Sequence, residues 1–166
     1  MTKKINAKDF IDKIEKLTKA RIASQEVVSL DQFRETFKKP EPKVILVIED
    51  DETMRVSMKR ILEQDGYVVK LAAHANELSE VLEDSAIDLI LLDIGLPWIN
   101  GFELAELLKD HKDLKKIPLV FVSGQASQED MKKAFLVGAH DYIKKPFEID
   151  KLKKTVKTLL KVTEDK

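Results

Sequence analysis

The chain has 166 residues, no cysteine and a formal net charge of −1, and 43% of its residues are apolar. This composition supports a folded core, excludes disulfides and thiolate metal sites, and provides no overall charge that would attract nucleic acid or an anionic membrane. The apolar runs are far shorter than the roughly 18 residues of a membrane span, and the N-terminus lacks the apolar core of a signal peptide. We therefore expect a cytoplasmic protein without membrane insertion.

The first 43 residues are predicted to form a basic helical extension, with 11 Lys or Arg residues against 7 Asp or Glu residues. Residues 3–22 have the apolar spacing of an amphipathic helix, and Ser29 opens a capping-box sequence before a second, short helix. The proline-containing linker 38–43 marks a boundary, so we predict an extension over 1–43 and a folded domain over 44–166. Because about 40 residues are too few to bury a core alone, the extension should fold back on the domain or pair in a homodimer. Binding to another protein is the remaining alternative.

From Val44 onward, predicted strands alternate with predicted helices. Unbroken apolar runs indicate buried strands beginning at Val44, Leu89 and Leu119, and shorter strands are predicted over 67–71 and 141–144. The predicted helices cover 53–64, 76–82, 101–108, the segment from Ser127 to Gly138, and 148–160. Five strands alternating with five helices indicate an α/β fold, in which right-handed crossovers cover both faces of a parallel sheet.

Polar side chains follow these strands at the end where parallel sheets bind ligands. Glu49 and Asp50 follow the first strand, Asp93 the third, Ser123 the fourth and Lys145 the fifth. Three carboxylates in one crevice would repel one another without a cation, and oxygen ligands without His or Cys favour Mg²⁺, with Mn²⁺ possible. With an ammonium and a hydroxyl nearby, this set predicts phosphoryl transfer to a carboxylate.

The sequence closely resembles the CheY-like receiver domain of bacterial two-component response regulators. The motifs are VILVIEDDETMR at 44–55, LILLDIGLPWINGFEL at 89–104, LVFVSGQAS at 119–127 and GAHDYIKKPF at 138–147. They follow the order and spacing of the family, and the resemblance covers about 44–161. It implies a flavodoxin-like, doubly wound sheet with strand order 2-1-3-4-5.

The resemblance also implies roles for individual residues. Asp93 is implied as the phosphoacceptor. The implied metal ligands are Glu49, Asp50, Asp93 and the backbone carbonyl of Gly95. Lys145 is implied as the ammonium, and Ser123 with Tyr142 as the switch. The Lys145–Pro146 peptide bond is implied to be cis. Because Gly95 has no side chain at a position that tunes phosphate lifetime in the family, the lifetime of the acyl-phosphate stays open.

In this family, a histidine kinase or a histidine phosphotransfer protein donates the phosphoryl group. Phosphorylation then alters the face formed by the domain's fourth helix, fifth strand and fifth helix. We therefore expect a phosphorelay protein that assists its own phosphorylation and dephosphorylation, and that is not an enzyme acting on a separate substrate. No DNA-binding domain is recognisable, so we expect a downstream protein target and no nucleic-acid partner.

Two other functions compete with this interpretation. A phosphate-independent interaction module would bind its partner through the basic extension, and Asp93→Asn would leave its affinity unchanged. A haloacid-dehalogenase-type phosphatase also uses an aspartate at a strand end, but it needs a second aspartate two residues later, where this chain has Gly95.

Several neighbouring residues have simpler predicted roles. Asp51 is expected to cap the first helix of the domain instead of binding metal. Trp98 and Ile99 either cover the sheet edge or form an exposed patch for a kinase. The three histidines, His74, His111 and His140, are predicted to be surface residues.

Overall fold

The computed structural model describes residues 7–23 and 41–164. Contacts divide the chain into two units, one ending at Glu41 and the other starting at Pro42. In the first unit, helix α1 spans Ala7–Ala23, in agreement with the amphipathic helix predicted over 3–22. The predicted capping box at Ser29 lies outside the described residues. Among the described helices, none has the length and hydropathy that crossing a bilayer requires.

Within residues 41–164, five strands alternate with five helices. The strands are β1 (Val44–Ile48), β2 (Val68–Ala72), β3 (Leu89–Leu92), β4 (Leu119–Ser123) and β5 (Asp141–Lys144). The helices are α2 (Glu52–Glu63), α3 (Ala75–Asp84), α4 (Gly101–Asp110), α5 (Gln128–Leu136) and α6 (Ile149–Glu164). The strands pair in parallel in the order β2-β1-β3-β4-β5, which confirms the predicted doubly wound sheet.

Both faces of the sheet are buried against helices. Residues such as Leu46, Ile90 and Phe121 join one apolar cluster with α3, α4 and α5. Their neighbours along the strands, such as Ile45 and Leu91, join a second cluster with α2 and α6. Because successive side chains of a strand point to opposite faces, a strand covered on both faces needs apolar residues at every position. The unbroken apolar runs of the sequence therefore arise from burial of both faces of the strands.

Glycines end two of the helices. Gly138 has a φ of 83°, and its N–H donates to the Phe135 carbonyl at 3.1 Å while the Ala139 N–H donates to the Ala134 carbonyl at 3.0 Å. This pair of bonds is the Schellman motif, which favours glycine because its left-handed position penalises a Cβ. Gly66 has a φ of 87° after α2. Both glycines lie where the sequence predicted helix ends, whereas α6 extends four residues beyond the predicted Leu160.

The strand register places the polar strand ends side by side. Ile48 of β1 pairs with Leu92 of β3, so Glu49 and Asp93 both follow at the same level, and the Asp93 N–H donates to the Ile48 carbonyl at 3.0 Å. On the other side of the sheet, the Lys145 N–H donates to the carbonyl of Ser123 at 2.9 Å. The polar residues at the carboxyl ends of four strands therefore lie side by side at the same end of the sheet.

Candidate functional site

Three carboxylates meet at the carboxyl ends of β1 and β3. Glu49, Asp50 and Asp93 each offer one carboxylate oxygen, and these oxygens all lie within 4.8 Å of one another. Glu49 and Asp93 are buried, with 1% and 9% of their surface exposed, whereas Asp50 faces solvent. Such an all-oxygen donor set, partly open to water, fits Mg²⁺, which commonly binds through one or two carboxylates and keeps several waters.

Lys145 brings a positive charge into this acidic cluster. Its ammonium forms an ion pair with Glu49, and its Nζ lies 3.5 Å from Oδ2 of Asp93. Burial raises the pKa of Glu49 because it disfavours the charged carboxylate. The hydrogen bonds from Lys145 and from the Asp51 N–H lower this pKa, while the Asp93 charge raises it further. The effect of desolvation on the pKa of Glu49 thus outweighs that of the single ammonium.

The loop that carries the two acids is held by α2. Arg55 donates from Nη1 to the carbonyls of Glu49, at 2.9 Å, and of Asp50, at 3.0 Å. The Asp51 N–H also donates to Oε1 of Glu49 at 3.1 Å. Arg55 was not among the predicted site residues. The available signal was an arginine in the first turn of the helix that follows the acid pair, since side chains of a helix lean back toward its N-terminus.

Asp51 caps α2, as predicted, and stays outside the carboxylate cluster. Its Oδ1 accepts a 2.7 Å hydrogen bond from the Met54 N–H. We expect Asp51→Ala to lower the free energy of unfolding by about 1 kcal/mol, because the amide of Met54 loses its acceptor. Asp51→Asn should retain most of the stability. Urea denaturation measures both changes, and an alanine variant as stable as the wild type would contradict the capping role.

Ser123 and Tyr142 are connected through the backbone of Gln125. The Ser123 hydroxyl is buried, and its Oγ accepts from the Gln125 N–H at 3.2 Å. The Tyr142 hydroxyl donates to the carbonyl of Gln125. Burial raises the pKa of Tyr142 because it disfavours the phenolate, although a hydrogen bond with Ser123 opposes this effect. Both residues implied as the switch thus form hydrogen bonds with the backbone of the same residue, Gln125.

The loop after Asp93 is partly buried. Gly95 is exposed, but the Trp98 indole donates to the Ala73 carbonyl at 2.9 Å. Trp98 and Ile99 both pack against the apolar cluster beneath α3 and α4. Of the two predicted alternatives, the structure supports the one in which they cover the sheet edge.

Two smaller predictions are also confirmed. The Lys145–Pro146 peptide bond is cis. All three histidines are exposed.

A family model described as the response regulator receiver domain matches residues 45–157. The chain belongs to this receiver family. Phosphorylation and Mg²⁺ binding are characteristic of the family. The match covers most of the second structural unit, so it confirms the resemblance that the motifs carry.

Two curated receiver-containing relatives show how far the similarity extends. The transcriptional regulatory protein CrdR of Helicobacter pylori is 36% identical over 115 residues, which cover 69% of this chain and 54% of CrdR. The transcriptional regulatory protein TorR of Escherichia coli is 33% identical over 119 residues, which cover 72% of this chain and 50% of TorR. The chain therefore spans about half the length of the curated relatives it matches.

Solved receiver structures match over nearly their whole length. A CheY-like receiver domain protein from Methanospirillum hungatei is 37% identical with a TM-score of 0.68, and the match covers 75% of this chain and 98% of that one. A receiver domain of a histidine kinase from Syntrophus aciditrophicus is 32% identical with a TM-score of 0.65, covering 72% and 90%. These matches confirm the predicted CheY-like fold.

Proposed function

We propose that the chain accepts a phosphoryl group on Asp93 in a Mg²⁺-dependent reaction and so switches a protein-interaction surface. The observation that carries this proposal is the carboxylate cluster, whose oxygens lie within 4.8 Å of one another beside the Lys145 ammonium. Membership of the receiver family supports a histidine kinase or a histidine phosphotransfer protein as the phosphoryl donor.

In the proposed reaction, an oxygen of Asp93 attacks the phosphorus of a phosphohistidine. The O–P bond forms as the P–N bond breaks, and the electron pair of that bond stays on the donor's imidazole nitrogen. Lys145 stabilises the negative charge of the transferring oxygens, because its Nζ already lies 3.5 Å from Oδ2 of Asp93.

The chemistry of the donor set indicates which residues would hold the metal. Glu49, Asp50 and Asp93 offer carboxylate oxygens, and the Gly95 carbonyl completes the proposed protein ligands. When bound there, Mg²⁺ supplies positive charge that offsets the phosphoryl oxygens. Mn²⁺, which favours similar oxygen ligands, is the alternative cation.

We propose Ser123 and Tyr142 as the switch that carries the signal away from Asp93. The Ser123 hydroxyl would turn toward a phosphoryl oxygen and leave the Gln125 N–H that it now accepts from. The carbonyl of Gln125 accepts from the Tyr142 hydroxyl. The loop that contains Gln125 and the ring of Tyr142 would therefore adjust together. The affected surface is the face formed by α5, β5 and α6, whose two-state equilibrium the phosphoryl group would bias.

The remaining predictions concern the whole protein. We propose an extension over 1–43 and a receiver over 44–166, with a downstream protein as the target. A homodimer through the extension and the absence of a nucleic-acid partner stay predictions. The relatives named as transcriptional regulators are about twice as long as the matched segment. A phosphate-independent module is not favoured, since a cluster of mutually repelling acids has no role in it.

Phosphate uptake from acetyl phosphate tests the proposal. We expect wild-type protein to gain a phosphoryl group only when MgCl₂ is present, and Asp93→Asn to gain none because its amide is not a competent nucleophile. Intact-protein mass spectrometry measures the product.

Asp88→Asn is the matched control. Asp88 precedes the opposite end of β3, where Oδ2 accepts from the Val44 N–H at 2.8 Å, so this variant should take up phosphate like the wild type. Uptake that survives Asp93→Asn would refute the assignment, and partner binding that is unchanged by it would support the phosphate-independent module.

A further inference from the structure

Gly101, the first residue of α4, packs directly on the backbone of the Asp93 segment. A Cβ added at Gly101 would lie 2.5 Å from the carbonyl oxygen of Asp93 and 2.5 Å from Cα of Ile94. It would also lie 3.1 Å from the carbonyl carbon of Asp93. Real Cβ atoms do not approach other atoms to 2.5 Å, and backbone atoms have no rotamer that would relieve the contact. Only glycine therefore allows α4 to begin against Asp93.

The same residue closes the loop that follows Asp93. The Gly101 N–H donates to the Ile94 carbonyl at 2.9 Å. Asn100 accepts from the Phe102 N–H at 2.9 Å and so caps α4. Midway along the loop, the Trp98 indole donates to the Ala73 carbonyl. The segment 94–101 is thus held at its ends by Gly101 and in its middle by Trp98.

We infer that Gly101 is a positioning residue for the Asp93 site. The contact of its bare Cα with the backbone of Asp93 sets where the Asp93 carboxylate and the Gly95 carbonyl stand relative to Glu49 and Asp50. This inference rests on the proposed function, and it assigns Gly101 no contact with metal or phosphate. The site depends on such placement because misplacing a reacting group by about 1 Å can cost roughly 100-fold in rate.

Gly101→Ala tests the inference, and two other glycines provide matched controls. Gly66 and Gly138 have φ values of 87° and 83°, so alanine is strained at both positions. An added Cβ meets nothing within 4 Å at Gly66, and at Gly138 it meets only the Lys109 side chain, at 3.9 Å. Gly66→Ala and Gly138→Ala should therefore lower stability without moving Asp93.

The readout is a titration of the full-length chain with MgCl₂, followed by amide ¹H–¹⁵N spectra at a temperature where circular dichroism shows every variant folded. We expect Gly101→Ala to weaken the apparent affinity for MgCl₂ by about 10-fold to 100-fold, the range found when residues that orient metal ligands are replaced. Its uptake of phosphate from acetyl phosphate should fall by roughly 100-fold. Both glycine controls should behave like the wild type. An affinity of Gly101→Ala equal to that of the wild type would overturn the inference.

Two measurements keep the inference testable if Gly101→Ala does not fold. In the wild type, the Gly101 amide should exchange with solvent as slowly as the Asp93 amide of the core, and exchange at the rate of an exposed loop would overturn the inference. Trp98→Phe keeps an aromatic ring but removes the N–H that donates to Ala73, so it should weaken MgCl₂ binding in the same direction.

Failure of the proposed function would look different from failure of this inference. A wild-type chain that binds no MgCl₂ and gains no phosphate contradicts the proposed function. In that case the metal-free spectra still test Gly101, because Gly101→Ala should shift the amides of 93–95 well beyond any change in the two glycine controls. Unshifted amides would overturn the positioning role.

Discussion

Lys145→Met is expected to slow phosphate uptake by Asp93 about 100-fold, the loss seen when one preorganised charge or donor is removed from a transition state. The ammonium lies 3.5 Å from Oδ2 of Asp93 and pairs with Glu49. Methionine has a similar length but no charge, so it preserves much of the packing and removes the electrostatic contribution. The rate of uptake from acetyl phosphate at saturating MgCl₂ measures the effect.

Lys144→Met is the matched control for this prediction. Lys144 is the exposed last residue of β5 and directly precedes Lys145, so the same substitution changes net charge equally without touching the site. Its rate of phosphate uptake should stay close to that of the wild type. Equal losses in the two variants would show that only the general charge of this surface matters, and would contradict the role proposed for Lys145.

Lys145→Met should also make the dependence of stability on pH steeper, because Lys145 lowers the pKa of Glu49 in the wild type. Glu49 remains buried without its ion pair, and its pKa lies above the ordinary value of 4.5 because of burial. The folded state then binds a proton more tightly than the unfolded chain, so the stability of the variant should fall as pH rises from 4.5 through the raised pKa. Urea denaturation at a series of pH values measures this slope, and a slope no steeper than that of Lys144→Met would contradict it.

Phe121→Ala is expected to lower the free energy of unfolding by about 3–5 kcal/mol, because it leaves a cavity in the centre of the core. Phe121 is fully buried in β4. Its ring centroid lies 5.1 Å from that of Phe102 and 6.1 Å from that of Tyr142. The ring thus joins the start of α4 to β5, so its loss removes packing on both sides of the central strands.

Phe135→Ala is the control for the core variant, because Phe135 lies on α5 with 80% of its surface exposed. Its effect on the free energy of unfolding should stay within about 0.5 kcal/mol. Urea denaturation of both variants compares the same chemical change in the core and on the surface. Equal losses would show that the cost does not arise from the cavity at Phe121.

Much of the fold could be predicted because local and global preferences agree. The apolar runs from Leu89 and Leu119 satisfy a strand that is covered on both faces. The Ser127 hydroxyl accepts from the Asp130 N–H and forms a capping box at the predicted start of α5. In each case the pattern that predicts the element lies in a few residues next to one another in sequence.

Parts of the site could not be predicted because they depend on contacts between distant segments. The side chain of Arg55 reaches back to the carbonyls of Glu49 and Asp50, a geometry that appears only once α2 has docked. For Trp98, sequence analysis left a buried role and an exposed role open, and the hydrogen bond to Ala73 decides between them. Sequence alone marked Gly101 only as the start of a predicted helix, since its positioning role arises from the backbone that it touches.

By itself, the amino-acid sequence determined the order of strands and helices, the turn residues that end them, and the presence of acids, hydroxyl and ammonium at the ends of the strands. Only the tertiary structure decided that Lys145 pairs with Glu49 across 96 residues of chain and that the bare Cα of Gly101 rests against Asp93. The physical reason is the separation along the chain of the residues that each interaction joins. Periodicity and capping act between neighbouring residues, whereas charge pairing and close backbone contact need the packed sheet to bring remote residues together.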